Sequence, residues 1–395
     1  MRLLGRMKFV GAAKPCVKID SRVETERWRR LGVEGIDCRA ARAAGNAAFS
    51  LTVKLLPGEG LMEMFGRLGV ALKELDAAIV KLMIFGSTSA SPAAAEAMRR
   101  VFGGVGWPVT WVEGAACDGN LVGGMQVFAL AGSAVQRIVQ NGRVVGSVFE
   151  EGGARQCVLG GVGPREICSN RAEQTRATIG HMQEALGQAG FSFADVVRTW
   201  FYMDDIRSWY TEFNAVRTEI YSRIQFRAGS LPASTGIAGR NPMRAALVAG
   251  AWAVRPVDGS VQIREVASPL QCPATAYGSS FSRAVEISSA HGRRLLVSGT
   301  ASVAQDGETA HVGTAPAQVA LSMRIAAAIL KSRGMSFADV TRATAYFTAA
   351  ANAPLFATWL ARHGLGTLPV VCACCDICRP DLLFEVELDA MQVGC

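Results

Sequence analysis

Two long stretches of the chain place apolar residues at helical spacing, and each runs into the same strand pattern. The stretches are RAEQTRATIGHMQEALGQA (171–189) and APAQVALSMRIAAAILKSR (315–333), and both predict amphipathic helices. The segments that follow, GFSFADVVRTWFYM (190–203) and GMSFADVTRATAYF (334–347), are identical at eight of fourteen positions, with an offset of 144 residues. Each continues into a second helix, a proline and a last strand, so one structural unit occurs twice.

A third, weaker copy lies upstream. Residues 61–87 predict a helix and a strand, residues 91–102 a second helix, and residues 107–132 a proline followed by a strand. Gln174 and Gln318 occupy equivalent places in the two later copies.

The repeat predicts an α+β fold of three tandem units, each a mixed sheet backed by two helices. The predicted division is an N-terminal extension at 1–34 and units at 35–133, 134–260 and 261–395. Three such units can pack around a shared axis, which makes a pseudo-trimer from one chain. The clefts between units are then natural pockets.

Composition narrows the class of protein. Half of the 395 residues are hydrophobic and 19% are charged, which indicates a globular protein. No apolar run reaches the roughly 18 residues of a membrane helix, and the N-terminus lacks the apolar core of a signal peptide. We therefore expect a cytoplasmic protein whose eleven cysteines are reduced.

The net charge of +8 favours an anionic partner. The basic residues are scattered and not interleaved with aromatic residues, which argues against nucleic acid and for a small anionic substrate. None of the four histidines is spaced as a metal pair, so we expect no metal and no cofactor. Acid–base chemistry then falls to a carboxylate.

The stretch DLLFEVELDA (381–390) predicts a strand with Glu385 and Glu387 on one face. A wetted sheet face is one interpretation. The other copies, however, have Val248 with Gly250, and Gly124 with Gln126, at these positions. This asymmetry favours one working site, with Glu385 functional and Glu387 its neighbour or orienting group.

Several motifs resemble the Rid superfamily (YjgF/YER057c/UK114-like proteins), which contains trimeric imine and enamine deaminases. The motifs are YGSSFSRA (277–284), RRLLVSGTAS (293–302), a Leu-Pro pair at 368–369 and FEVELDA (384–390). Taken together with the fused copies, they are more similar to the chorismatase branch, whose members hydrolyse chorismate. This resemblance implies that Glu385 protonates the methylene carbon of the substrate.

The remaining candidates would bind the substrate. Arg283 and Arg217 are the candidates for its carboxylates, because arginine holds a carboxylate through two hydrogen bonds; a fold-stabilising ion pair is the alternative for each. Tyr277 either hydrogen-bonds a substrate oxygen or packs, and the hydroxyls of Ser298 and Thr300 are expected to face the cleft. Arg198 and Arg342 are equivalent across the copies, which favours a structural role for both.

Acid-catalysed hydrolysis of an enol ether is therefore the first functional hypothesis. An imine or enamine deaminase, or a tailoring enzyme of secondary metabolism, is the second; the arginine that Rid deaminases have after the proline is missing at 370–372. A non-catalytic ligand-binding protein is the third. The chain is expected to be a monomeric pseudo-trimer or to form a further homo-oligomer.

The cysteine-rich stretch VVCACCDIC (370–378) has three interpretations. Cysteine is a small hydrophobe in packed strands, which is the first interpretation for Cys372, Cys374, Cys375 and Cys378. Cys375 and Cys378 also have metal-ligand spacing, and a reactive thiol near Glu385 is the third possibility.

Overall fold

Three mixed β-sheets and six α-helices make up the part of the chain that the structure describes. This computed structural model describes residues 33–43, 46–168, 170–257 and 259–393. The expected N-terminal extension lies outside these residues, except for its last two positions. The α+β class predicted from the repeat is confirmed.

The first sheet has the strand order β1-β2-β6-β3-β4, in which only β3 and β4 are parallel. Its apolar face packs on two helices to form a separate core. The elements of this part of the chain are β1 (Ile36–Ala43), β2 (Asn46–Val53), α1 (Leu61–Leu75), β3 (Ala78–Gly86), α2 (Ser91–Phe102), β4 (Val109–Val112), β5 (Ala115–Ala116) and β6 (Val122–Ala131).

The second sheet has the order β11-β10-β12-β9-β8-β7, with β10 and β11 parallel. Its helices again cover one face. The elements are β7 (Gln136–Gln140), β8 (Arg143–Glu151), β9 (Ala154–Val162), α3 (Arg171–Gln188), β10 (Val196–Met203), α4 (Ile206–Tyr221), β11 (Ala233–Ala238) and β12 (Leu247–Pro256).

The third sheet has the order β13-β14-β15-β18-β16-β17-β5, so the short strand β5 leaves the first part of the chain and extends the third sheet. The elements are β13 (Gln262–Val266), β14 (Ala284–Ser289), β15 (Gly292–Ala301), α5 (Ala315–Ser332), β16 (Val340–Phe347), α6 (Ala353–Arg362), β17 (Val370–Cys374) and β18 (Phe384–Val393).

The sequence repeat is matched by equal local structure. Before β10, the backbone N–H of Ser192 donates to Asp195 Oδ2 at 2.8 Å, and before β16 the N–H of Ser336 donates to Asp339 Oδ2 at the same distance. Both serines and aspartates form a capping box around a single 3-10 turn. The four residues SFAD, which are identical in the two copies, therefore form the turn that precedes the strand in each of them.

The equivalent glutamines hold equivalent strands. Gln174 Oε1 accepts a hydrogen bond from Ala246 N at 2.8 Å, immediately before β12, and Gln318 Oε1 accepts one from Leu383 N at 2.7 Å, immediately before β18. Both glutamines are buried, and each satisfies backbone at the point where the last strand begins.

Strand β18 begins three residues later than the apolar pattern indicates. Gln318 Nε2 donates to Asp381 O at 2.8 Å, so the side chain of Gln318 binds both ends of this short segment. The segment 381–383 is therefore held by a helix side chain, and Leu383 O also accepts a hydrogen bond from Thr348 N, just after β16, at 3.4 Å.

The faces of the three sheets that carry no helices meet at one place. Phe85 of β3 lies with its ring centroid 6.4 Å from that of Tyr202 of β10 and 6.1 Å from that of Tyr346 of β16, both edge-on. These rings are fully or almost fully buried. The junction brings three equivalent strands together, one from each sheet.

Candidate active site

A cavity of about 320 Å³ lies between the second and third sheets. One wall comes from α4 and β11, and the other from the segment before β14, from β15, and from the loop that leads into β18. The cavity contains four of the seven predicted site residues, namely Glu385, Arg283, Arg217 and Tyr277. Ser298, Thr300 and Glu387 do not line it.

Glu385 lies at the second position of β18, where it pairs with Tyr346 on one side and Ala301 on the other. Its side chain is buried and faces the cavity. Burial and the negative charge of Glu387 together raise the pKa of Glu385 to about 8, against the opposing charges of Arg198 and Arg283. At neutral pH this carboxyl group therefore keeps its proton and can donate it.

Gly299 of β15 makes room for the Glu385 carboxyl group. A Cβ atom at this position would overlap Glu385 Oε1 and would lie 3.0 Å from its Cδ. The backbone N–H of Gly299 donates to Thr235 Oγ1 at 3.1 Å, which fixes the strand at this point. Any larger residue would move the carboxyl group or the strand.

Glu387 lies on the same face of β18, two residues further on, in a buried polar network. Its Oε2 is 2.5 Å from Arg198 Nη2 and accepts hydrogen bonds from Thr235 Oγ1 at 2.5 Å and Trp200 Nε1 at 3.0 Å. Its Oε1 is 2.9 Å from Arg342 Nη1.

This network keeps Glu387 ionised. Burial alone would raise the pKa of Glu387, but the charges of Arg342 and Arg198 outweigh it and lower the pKa to about 2. The two carboxylates of one strand thus differ in charge at neutral pH, which is the arrangement that separates an acid from a fixed anion. Arg198 and Arg342 have the structural role that their equivalence indicates.

Arg283 and Arg217 bring positive charge to the cavity. Arg283 Nε donates to Cys272 O at 3.0 Å, and Arg217 Nη2 donates to Asn214 Oδ1 at 2.7 Å. Arg283 Nη2 and Arg217 Nε are buried without a hydrogen-bond partner in the described parts of the chain, and neither guanidinium has a carboxylate within 4.0 Å there. Both groups can therefore take an anionic ligand.

Tyr277 ends a 3-10 turn (Ala274–Tyr277) and lines the same wall. The guanidinium carbons of Arg283 and Arg379 lie 5.3 and 5.1 Å from its ring centroid. Burial raises the pKa of Tyr277, so its hydroxyl stays a hydrogen-bond donor. Arg379, from the loop before β18, also lines the cavity, and its Nη1 donates to Gly307 O at 2.8 Å.

Ser298 and Thr300 differ from expectation. Ser298 Oγ donates to Ser282 O at 2.6 Å and accepts from Ser234 N at 2.8 Å, and Thr300 Oγ1 donates to Ser298 O at 2.8 Å. These buried hydroxyls bind backbone groups, because buried polar atoms need partners. Ser298 thereby joins β15 of the third sheet to β11 of the second, and neither hydroxyl faces the cleft.

Sequence reasoning missed most of the α4 wall. Tyr210, Asn214 and Arg217 all line the cavity, and their spacing of four and three residues puts them on one helix face. That spacing was a usable signal, because it places polar groups on the face of α4 that packs inward. The other missed lining residues include Arg207, Phe281, Cys378 and Arg379.

The other two junctions are closely packed at the corresponding place. A Cβ atom on Gly161 of β9 would overlap the backbone oxygen of Val109, and one on Gly123 of β6 would lie 3.0 Å from Cys372 O. Val248 and Gly124 pair with Tyr202 and Phe85, as Glu385 pairs with Tyr346, so the register confirms their equivalence. These two junctions therefore have no carboxylate at the position of Glu385, and their strands pack too closely at this place to leave room for a ligand.

The cysteine stretch leads into the cavity wall. Cys378 lines the cavity, and burial raises the pKa of its thiol to about 12, so it stays protonated. Cys374 Sγ lies 3.0 Å from Cys117 Sγ. In the described ranges, no three His, Cys, Asp or Glu side chains are grouped as metal ligands, and no described helix is long and apolar enough to cross a membrane.

Comparison with known proteins extends these observations. The sequence profile of a family described as Endoribonuclease L-PSP matches residues 160–258, and no curated protein matches the chain. A solved structure of a chorismatase is similar with a TM-score of 0.62 and 18% sequence identity, over 91% of this chain and 100% of that chain. The chain has a chorismatase-like fold.

Two shorter structures are similar to parts of the chain. A putative endoribonuclease L-PSP from Entamoeba histolytica is 22% identical, covers 33% of this chain and 100% of its own, and has a TM-score of 0.29. A member of the YjgF/YER057c/UK114 family from Mycobacterium tuberculosis is 23% identical over 32% of this chain and 100% of its own, with a TM-score of 0.25. The chorismatase-like fold confirms the prediction of tandem Rid-like units, and at this identity the likeness extends to the fold alone.

Proposed function

We propose that the protein is a chorismatase-like enzyme that hydrolyses an enol ether of a small carboxylate, chorismate or a related compound. One observation carries the proposal: a single cavity contains a buried, protonated carboxyl group on Glu385 and two arginines without carboxylate partners, Arg283 and Arg217. An acid is thus placed beside a binding site for an anion.

Binding comes first. Arg283 and Arg217 come from opposite walls of the cavity, the third and second parts of the chain, so a substrate with two carboxylates is held across the cleft. A guanidinium that donates two parallel hydrogen bonds fixes the orientation of a carboxylate. Tyr277 and Phe281, over which the Arg283 guanidinium lies, add an apolar surface for an unsaturated ring.

The chemical step is proton transfer to carbon. Glu385 gives its proton to the terminal methylene carbon of the enol ether, and an oxocarbenium ion forms at the carbon attached to oxygen. The carboxylate left on Glu385 stabilises that cation. Water then adds to the cation and returns a proton to Glu385, and the resulting hemiketal breaks its C–O bond to release pyruvate and an alcohol.

Imine or enamine hydrolysis is the second candidate. An enamine also carries an electron-rich C=C bond that Glu385 can protonate, and Arg379 in the cavity wall favours this reading by replacing the missing arginine. A ligand-binding protein without catalysis is the third. We also propose that the three sheets form a pseudo-trimer of one chain in the cytoplasm.

The test is pyruvate release from chorismate, measured by coupling to lactate dehydrogenase. We expect pyruvate from the wild type and none above background from Glu385→Gln. Glu184→Gln, which changes a half-exposed carboxylate on α3, is the matched control and should retain full activity. Absence of pyruvate from the wild type overturns the enol-ether proposal, and 2-aminoacrylate and cyclic imines are then tested with the same proteins.

A further inference from the structure

A second cavity, of about 40 Å³, lies near the junction of the three sheets and is lined by three positively charged side chains and one carboxylate. The charged residues that line it are Lys81, Arg294, Arg342 and Asp389, and they lie beside Trp200 and Trp252. None of the residues that line this inner cavity lines the candidate active site. The volume is enough for a water molecule or a small ion and too small for a dicarboxylate.

Lys81 is the first-sheet equivalent of two arginines. It follows a bulge at the same place in β3 as Arg198 does in β10 and Arg342 does in β16. The three cations thus come from equivalent positions of equivalent strands, and all three approach the junction.

Each arginine finds an acceptor on the last strand of a neighbouring sheet. Arg198 Nη2 binds Glu387 Oε2 of β18 at 2.5 Å, and Arg342 Nη1 binds Gln126 Oε1 of β6 at 3.0 Å. Strand register makes Gly250 of β12 the counterpart of Glu387 and Gln126.

The ammonium group of Lys81 lies next to Gly250, the counterpart of those two acceptors. Its Nζ lies 3.7 Å from the point where a Cβ atom of Gly250 would stand, so it occupies the place of an acceptor that the sequence does not supply. Nζ lies 3.5 Å from the ring centroid of Trp200 and has no hydrogen-bond acceptor among the residues that the structure describes. The side chain is 93% buried, with 7% of its surface exposed.

The local charges do not balance. The charged groups that act on Lys81 are Arg198 and Arg342, which are positive, and Glu387 and Asp389, which are negative. With Lys81 protonated, three positive charges face two negative ones. Arg342 Nη2 and Asp389 Oδ1 are also buried without a partner in the described chain, so a second donor and one carboxylate oxygen of the paired Asp389 are free beside the cavity.

We propose that the inner cavity binds a small monovalent anion, chloride in the cell, through Lys81 and Arg342. The anion supplies both the missing acceptor and the missing negative charge, because a buried cation without a counter-charge is costly. Burial, with the charge of Arg342, lowers the pKa of Lys81 to about 7, and a bound anion raises it again. This proposal is independent of the proposed enzymatic function.

Arg294 lies between the inner cavity and a second, larger one. It lines both the inner cavity and an outer one of about 310 Å³. Its Nη2 is 2.8 and 3.0 Å from the two carboxylate oxygens of Glu151, and its guanidinium lies over the Trp252 ring at 4.7 Å. An anion entering from the outer cavity therefore passes Arg294, whose own charge Glu151 neutralises.

The test uses bromide, which has a measurable anomalous X-ray signal. We expect crystals of the full chain grown in bromide to show an anomalous peak in the inner cavity next to Lys81 Nζ, and crystals of Lys81→Met to lack it. Methionine retains the apolar stem and removes the charge. A water molecule without anomalous signal at this place in the wild type overturns the proposal.

A solution measurement supports or overturns the same point without crystals. The unfolding temperature of the wild type should rise with chloride or bromide when ionic strength is held constant with gluconate. The rise should disappear in Lys81→Met and persist in Lys73→Met, which changes an exposed lysine of α1. An equal halide response in the wild type and in Lys81→Met shows that the anion binds elsewhere and overturns the assignment.

Discussion

Arg198 of β10 and Glu387 of β18 form an ion pair 2.5 Å long in which neither side chain has exposed surface. The pair joins the second sheet to the third beside the candidate active site. Because Glu387 also binds Arg342, its charge is shared between two buried guanidinium groups. Two properties depend on it, the stability of the junction and the proton on Glu385.

Glu387→Gln tests both properties. Removing one partner of a buried ion pair leaves uncompensated charge, so we expect a loss of about 3–5 kcal/mol in the free energy of unfolding. The pKa of Glu385 should also fall, since the Glu387 charge raises it, and the high-pH limb of activity should move to lower pH. Denaturant titration and a pH–rate profile measure the two effects.

Glu286→Gln is the control for that variant. Glu286 is equally buried and pairs with Arg333 at 2.8 Å, but it does not line the cavity. It should lower stability and leave the pH–rate profile in place. If Glu286→Gln shifts the profile as much as Glu387→Gln does, the tuning of Glu385 by Glu387 is disproved.

The activity should depend on the protonated form of Glu385. Its pKa is raised to about 8, so the acid is present below that pH and is lost above it. We expect kcat/KM to be flat from about pH 6 to 7.5 on this account and to fall about tenfold per pH unit well above 8. A profile that rises through pH 8 would instead show that the carboxylate is the active form.

The contribution of Glu385 to the free energy of unfolding should change with pH in the opposite sense to that of an ordinary ion-paired carboxylate. Between the usual pKa of 4.5 and the folded value of about 8, Glu385 is protonated in the folded state and ionised in the unfolded state. Unfolding then releases a proton, so this group makes the protein less stable as pH rises through the window. Glu385→Gln removes the effect.

We therefore expect Glu385→Gln to match the wild type near pH 4.5 and to exceed it by about 3–5 kcal/mol near pH 8. Denaturant unfolding at both pH values measures the difference. Glu184→Gln should show no such pH-dependent gain, and a gain for Glu385→Gln that is the same at both pH values contradicts the raised pKa.

Gly299→Ala should displace the Glu385 carboxyl group, because the added Cβ atom overlaps Oε1. A shift of about 1 Å in a catalytic group can cost about 100-fold in rate, so we expect kcat to fall by that order. Gly180→Ala, in α3 with open space around its Cβ position, is the control and should keep full activity. Steady-state kinetics on the two variants decide the point, and equal kcat values would contradict it.

Arg283→Lys should raise KM. Lysine keeps the positive charge but cannot donate the paired hydrogen bonds of a guanidinium, so we expect kcat/KM to fall about 10- to 100-fold through binding. Arg223→Lys, at a 74% exposed side chain just after α4, should be unchanged. A fall in kcat with KM constant would place Arg283 in the chemical step and not in binding.

Much of the architecture follows from local pattern. The helical spacing before each repeated segment and the two glutamates of β18 are short-range features, and the structure has both where they were expected. The equivalence of Arg198 and Arg342 favoured a structural role for both, and both form ion pairs with the buried Glu387. These inferences succeeded because each depends on residues close together in the chain or on comparison of two similar copies.

The remaining features depend on contacts between distant segments. Ser298 was expected to face the cleft, but its hydroxyl is satisfied by Ser282 and Ser234 across the sheet junction. The role of Lys81 was hidden because the first copy has diverged, and only the strand bulge aligns it with the arginines. Packing decided these cases, and the sequence pattern alone does not specify which segments pack together.

The candidate active site has one wall from the second part of the chain and one from the third, and a continuous polypeptide joins them. In an assembly of separate subunits, such a site is lost on dilution as the subunits dissociate. Here the covalent link keeps the effective concentration of one wall near the other high at any protein concentration. The rate per molecule should therefore stay constant down to the lowest concentrations, and a single chain is free to specialise one cleft while its other two lose theirs.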